Sequence, residues 1–359
     1  MNPINPISLP PKAKILVVRK DNIGDLVCIT PLIRALRQRF PDAHLAALVN
    51  SYNGPVLAGN PDLDEVHAYT KSKHRGDGQT LLGVYWQRLK LMVKLRLAGY
   101  DLAILASCSF VPSAFRLAQQ VGPRRILSFV TGEQPGLERK VSDPVPYHPD
   151  PLEHETERAA KLLLPLGIEP PYPPARVFAD TERQARMQAR LSAAGFSPES
   201  RPVAVHISAR KVGQRWSEGK FIELMKNLHQ RLGCQFMLFW SPGDENNPFH
   251  PGDDGKAARI LAGLPGVPVF PCPTEQLEDL IAGLSCCSSM ICSDGGAMHL
   301  GAGLGLPIVC FFGNSEANKW HPWGVPYELL QKDSQVVEDI TVDETLAAYD
   351  RLQQRLAQS

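Results

Sequence analysis

Short runs rich in Val, Ile and Leu alternate along this chain with segments whose apolar residues recur every three or four positions, and the alternation restarts after a cluster of prolines. The first kind of segment is the pattern of a strand buried on both faces, the second that of a helix with one apolar stripe. A parallel neighbour needs a crossover long enough to hold a helix, so this order predicts doubly wound parallel sheets. Residues 14–19, 44–49, 66–69, 101–106 and 125–129 read as strands of a first sheet. Between them one stripe (Leu26, Ile29, Ile33, Leu36, Phe40) predicts a helix, a second (Trp86, Leu89, Val93, Leu97) another, and residues 111–121 and 153–166 two more. Residues 71–80 are polar and glycine-containing and read as a loop.

Five prolines stand between positions 165 and 174. Proline fixes φ and removes a backbone donor, so this stretch is a stiff connector and marks a domain boundary. Beyond it strands are predicted at 203–207, 235–240, 267–270, 289–293 and 308–312, with helices at 182–194, 218–232, 256–264, 275–284, 297–304 and 342–356. The expected organisation is an N-terminal domain over 1–168, a linker over 169–180, a C-terminal domain over 181–341, and a terminal helix in 342–359 packing back on the N-terminal domain. Two such domains face a central cleft at the carboxyl ends of their strands, where doubly wound folds bind ligands.

Bulk composition limits the partners. At 43% hydrophobic and 21% charged residues with a net charge of +1, the chain of 359 residues fits a two-domain globular protein and not a disordered one. Residues 1–168 hold 21 Lys and Arg against 15 Asp and Glu, and the remainder 17 against 22. A basic first half suits an anionic acceptor or an anionic membrane face; clustering on a solvated surface explains the same count. Nothing in the sequence points to nucleic acid. The apolar runs are too short to span a bilayer and the start lacks a signal-peptide core, so a cytoplasmic protein is expected. The eight cysteines form no Cys-x-x-Cys pair and have no His at ligand spacing, so no metal site is expected.

Three strand ends carry candidate chemistry. Arg19, Asp21, Asn22, Gly24 and Asp25 follow the first strand. Gly24 would let the chain turn, and Asp25 at the helix start reads as a general base or, taken alone, as a helix cap. Asp294, Gly295, Gly296 and His299 follow another strand. Free amides at a glycine-rich helix start favour a pyrophosphate, although the full dinucleotide fingerprint is missing. Ser208, Arg210, Lys211 and Arg215 leave the first strand of the second domain and could neutralise phosphate, or form an ordinary basic loop.

Taken together, ILVVRKDNIGDLVCITPLIRALRQRFP, HISAR, RWSEGKF, FWSPGDE and SDGGAMHLGAGLGLPIVCFFGNSEANKWHPWG occur in the order that resembles glycosyltransferase family 9, the ADP-heptose:lipopolysaccharide heptosyltransferases. The resemblance implies a GT-B fold with an N-terminal acceptor domain and a C-terminal donor domain. It implies inverting, metal-independent transfer from ADP-heptose, with no cofactor, to an anionic glycolipid or glycan acceptor in peripheral contact with the inner membrane. Asp25 would be the base, with Asp21 the alternative; Gly295, Gly296, Ser208 and Arg210 would hold the diphosphate, with His299 near it. Asp294 would bind heptose hydroxyls, Asp244 or Glu245 the ribose or sugar, and Pro273 and Thr274 the adenine. Two departures stand out: Gln214 occupies a position where members often carry Lys, and the loop 243–255, with Asn246, Asn247 and His250, is long. Another nucleotide sugar with a different acceptor, or a protein that binds without transferring, are the competing expectations.

Overall fold

The computed structural model describes residues 6–70, 81–148, 150–197, 201–247 and 252–358; the loop 71–80 and His250 lie outside them. The chain divides into two compact units, Met1–Ala175 and Arg176–Ser359. The division falls just past Pro174, the last of the five clustered prolines.

The first unit holds β1 (Lys14–Val18), β2 (His44–Asn50), β3 (Glu65–Tyr69), β4 (Leu102–Leu105), β5 (Arg125–Val130) and β6 (Asp143–Pro146). They form one parallel sheet in the order β3-β2-β1-β4-β5-β6. β1 is buried from Ile15 to Val18, as expected of a strand covered on both faces. On one face Leu16, Val18 and Leu105 pack against Met92 and Leu95 of the helix Leu81–Ala98 and Phe115 of the helix Pro112–Val121.

The second unit repeats the plan with β7 (Val203–His206), β8 (Phe236–Trp240), β9 (Val269–Pro273), β10 (Ser289–Ser293), β11 (Ile308–Phe312) and β12 (Tyr327–Gln331), in the order β12-β11-β10-β7-β8-β9. Val205, Leu238 and Ile291 share a core with Phe221 and Leu224 of the helix Glu218–Leu232.

Several expectations change. The single stripe from Leu26 to Phe40 is two helices, Ile23–Cys28 and Thr30–Arg39, because Pro31 has no N–H to continue the first ladder and suits the start of a new helix. Residues 161–166 tighten into a 3-10 turn after the helix Glu155–Ala160. In the terminal helix Val342–Ala357, Leu346, Tyr349 and Leu352 belong to the core of the second unit, where this apolar stripe finds the apolar face of the sheet. β6 and β12 are strands at the sheet edges that periodicity missed. β6 reads Asp-Pro-Val-Pro, tolerable only at an edge where a missing donor breaks no inner ladder.

Candidate active site

In each sheet the chain leaves a central strand in one direction and returns on its other side, which creates a switch point at the carboxyl ends of two neighbouring strands. In the first unit these are β1 and β4. Arg19 follows β1 and is buried at 2% exposure. It donates through Nη1 to the carbonyl of Ala106, just beyond β4, and so spans the switch point. Its Nη2 donates to Asp25 Oδ1 at 2.7 Å and to Glu155 Oε1 at 3.1 Å. Its Nε lies 3.0 Å from Asp21 Oδ2, close enough for an ion pair but not aligned to donate. Burial opposes this charge, but Asp25 first, with Asp21 and Glu155 also acting, outweighs it and pushes the guanidinium pKa up. One fixed cation is thus surrounded by three carboxylates.

Asp25 is the third residue of the helix Ile23–Cys28, and its Oδ2 accepts from the Asn22 backbone N at 3.1 Å and from Asn22 Nδ2 at 3.2 Å. It is a capping-box carboxylate that reaches back to the residue before the helix. Asp25 is 16% exposed and Asp21 36%. Gly24, expected to permit a tight turn, lies inside the helix without a positive φ. The turn is Lys20–Asn22, whose carbonyl at Asp21 accepts from Asn53 Nδ2 at 2.8 Å.

In the second unit the switch point lies between β7 and β10. β10 runs into Asp294, the exposed Gly295 and the helix Gly296–Gly303. The first-turn N–H groups of a helix have no intrahelical acceptor and favour an anion. A Cβ built on Gly295 meets nothing within 4 Å, so the approach to this helix start is open. Gln214, buried in the short turn Val212–Gln214, donates through Nε2 to Asp294 Oδ2 at 3.0 Å and to Ser315 Oγ at 2.6 Å. It ties together the segments that follow β7, β10 and β11. Behind it Trp216 is buried, donates from Nε1 to the Ile340 carbonyl at 2.9 Å and meets Phe221 edge-on. His299 is buried one turn into its helix, edge-on to Trp320.

The sequence pattern of glycosyltransferase family 9 (heptosyltransferase) matches residues 88–347 of this chain, more than half of its length. The chain belongs to glycosyltransferase family 9. Lipopolysaccharide heptosyltransferase 3 of Escherichia coli (strain K12) is 26% identical over 312 residues, covering 84% of this chain and 82% of that protein. Among solved structures, the glycosyl transferase family 9 protein from Veillonella parvula DSM 2008 has a TM-score of 0.82 at 17% identity, covering 96% of this chain and 97% of that one. The E. coli heptosyltransferase WaaC with ADP-2-deoxy-2-fluoro heptose has a TM-score of 0.71 at 16% identity, covering 94% and 99%. The protein is a glycosyltransferase, and its two doubly wound units have the GT-B fold.

The other expected site residues of this glycosyltransferase lie at the same ends of the strands in the second unit. Ser208 Oγ, after β7, accepts from the Ser241 backbone N, after β8, at 2.9 Å. Arg210 and Lys211 are exposed, whereas Arg215 is turned back, its Nε donating to the Ala209 carbonyl at 2.9 Å. Asp244 Oδ1 accepts from the Asn246 backbone N, and Glu245 accepts from Arg259 Nη2 at 3.0 Å. Pro273 ends β9, and Thr274 donates through N and Oγ1 to the Trp240 carbonyl. A cavity of about 570 Å³ beside Gln184, Arg201 and Cys286 lies at the opposite, amino-terminal end of β7 and β10, away from this chemistry.

Three participants escaped the sequence reading. Glu155 completes the cluster around Arg19 from 136 residues away. Lys256, buried, donates through Nζ to the carbonyls of Trp216 at 2.8 Å and Ile207 at 3.2 Å, and burial pushes its pKa down. Asp254 pins the start of the loop after β8, accepting from Trp240 Nε1 at 2.7 Å and from the Gly243 N at 2.9 Å. Among the described residues no group of three or more His, Cys, Asp or Glu is gathered as a metal site would need.

Proposed function

We propose that this family 9 glycosyltransferase moves a heptose from ADP-heptose to an anionic inner-core lipopolysaccharide acceptor, with inversion and with Asp25 as general base. The observation that carries the proposal is a carboxylate fixed by the buried Arg19 at one switch point, matched by an open glycine-rich helix start at the other. In the reaction the acceptor hydroxyl oxygen attacks the anomeric carbon while the bond from that carbon to the diphosphate oxygen breaks. The hydroxyl proton passes to Asp25, and ADP leaves with the bonding electrons. Attack from the face opposite the leaving group inverts the configuration.

The leaving diphosphate gains charge as the bond breaks, so donors placed for it lower the barrier. The amides at Gly295 and Gly296, the Ser208 hydroxyl and the exposed Arg210 and Lys211 are the proposed donors, with Arg215 and His299 bordering them. Asp294, oriented by Gln214, would accept from heptose hydroxyls. Asp244 or Glu245 would hold the ribose or sugar, and Pro273 and Thr274 would border the adenine. The basic excess of residues 1–168 suits a phosphorylated acceptor. Mechanistically, no metal is required of this donor set.

A second reading keeps the transfer and changes the donor sugar, favoured by the long loop 243–255, which would border the ribose and sugar. A mass-spectrometric panel of ADP-, UDP- and GDP-sugars with lipid acceptor, run with and without EDTA, tests both. Heptosylated product and ADP, undiminished by EDTA, are expected. Turnover of another nucleotide sugar alone would overturn the donor assignment.

A further inference from the structure

The helix Leu81–Ala98 is apolar on more than the side that it buries. Met92 and Leu95 face the sheet, yet Tyr85, Trp86, Leu89, Val93 and Leu97 are all exposed, from 49% for Val93 to 82% for Leu97. Tyr85, Leu89, Val93 and Leu97 follow one another at four-residue steps, and Trp86 adjoins them. At about 100° per residue the five cover a stripe about 120° wide. A helix apolar all round belongs in an interior, and a continuous apolar patch left in water marks a surface that binds something.

The charges on the same helix say what that is. Arg88, Lys90, Lys94 and Arg96 lie on it and no Asp or Glu does. Lys90 Nζ lies over the Trp86 ring, 5.5 Å from its centre, and at the same helical spacing Arg96 falls within the stripe. Lys94 pairs with Glu65 at 3.1 Å, Arg88 lies over Tyr69, and Arg96 donates to the Gln120 carbonyl at 3.5 Å. A second copy of the chain docked by this stripe would set cation against cation, with no carboxylate on either helix to relieve it. An anionic bilayer supplies what both features need, acyl chains for the stripe and phosphates for its cations, and Trp and Tyr favour that boundary.

We propose that the helix Leu81–Ala98 is the membrane-docking surface of this protein, lying flat on anionic phospholipid with Trp86, Leu89, Val93 and Leu97 inserted at the headgroup boundary. The inference does not depend on which sugar is transferred.

The test is flotation of the full-length protein with vesicles of phosphatidylglycerol and phosphatidylethanolamine, against vesicles of phosphatidylcholine alone. Binding to the anionic vesicles is expected to be at least about tenfold tighter and to weaken with salt, since each cation near such a surface contributes about fivefold. A Trp86→Ser, Leu89→Ser, Val93→Ser variant should lose about tenfold or more while keeping its circular dichroism and melting temperature. Leu97→Asp, at the most exposed position of the stripe, supplies a second reading should the triple variant fold poorly. Lys90→Gln with Arg96→Gln should reduce both the affinity and its salt dependence. The proposal is overturned if the native protein does not float with anionic vesicles, if the apolar variants float as well as it does, or if analytical ultracentrifugation finds the stripe closing a dimer that does not bind vesicles.

Discussion

Arg19 Nη2 donates to Asp25 Oδ1 at 2.7 Å from a side chain almost wholly removed from water. The contact fixes the carboxylate in one orientation beside the carboxyl end of β1, while Glu155 and Asp21 share the same guanidinium. Losing the cation would remove the positive charge that Asp25, Asp21 and the buried Glu155 share. Arg19→Met is therefore expected to destabilise the first unit by about 3–5 kcal/mol, the usual result of breaking a buried ion pair on one side. Chemical denaturation of the variant and the parent measures this.

The chemical role separates Asp25 from Asp21. Asp25→Asn keeps the size and the capping position but cannot take the acceptor proton, so turnover is expected to fall by about a hundredfold to ten-thousandfold. Donor affinity, measured by calorimetry, should change little. Asp21→Asn, at a more exposed position, should cost less than about tenfold. The reverse order would transfer the role of base to Asp21.

Gln214 offers a neutral donor to Asp294 and Ser315. Gln214→Lys replaces that bond by a charge-assisted one and adds a cation near the proposed diphosphate. ADP affinity is expected to rise about fivefold, roughly 1 kcal/mol, and to become more sensitive to salt. Isothermal titration at two ionic strengths checks both.

Two glycines should respond in opposite ways to the same substitution. A Cβ on Gly303 would stand 2.5 Å from Val177 Cγ2 and 3.3 Å from the Val177 backbone N, which itself donates to the Gly303 carbonyl. Gly303→Ala should lower stability by about 1–3 kcal/mol, the range for overpacking a filled site. Gly295 has an extended backbone and open space where its Cβ would point. Gly295→Ala should keep the melting temperature and raise KM for the donor by obstructing the approach to the helix start. Thermal unfolding and initial rates distinguish the two effects.

His206, at the end of β7, supplies a pH dependence. Burial, the largest cause, and the neighbouring Lys256 lower its pKa to about 4 against a hydrogen bond with the Ser208 backbone that raises it. The unfolded chain, with its imidazole near pKa 6.5, binds the proton more readily, so stability rises with pH through this window. The contribution is complete above about pH 6.5 and is lost as pH falls toward 4, amounting to about 3 kcal/mol at about 1.4 kcal/mol per pH unit. Denaturation of His206→Gln across this range should show a correspondingly flatter slope.

Much of this protein was legible because its signals are local. A buried parallel strand must be apolar throughout and a covering helix must repeat its apolar residues every three or four positions, so most inner strands could be read residue by residue. The same locality exposed the strand-end motifs: Gly24-Asp25 and Asp294-Gly295-Gly296 stand where a strand gives way to a helix, whatever the rest of the chain does. Of the edge strands, β3 and β9 were read and β6 and β12 escaped; a strand with one partner tolerates weaker patterning, and Pro144 and Pro146 in β6 would break a central strand but not an outer one.

Sequence alone determined the alternation, the proline-rich division and the residue types available at each strand end. Only the tertiary structure decided that Glu155 meets Arg19 across 136 residues, that Gln214 meets Asp294 across 80 and Ser315 across 101, and that Lys256 lies beneath the turn after β7. The physical reason is the parallel sheet. It aligns the carboxyl ends of strands that are far apart in the chain, and hydrogen bonds between side chains at those ends leave no periodicity in the sequence of either one.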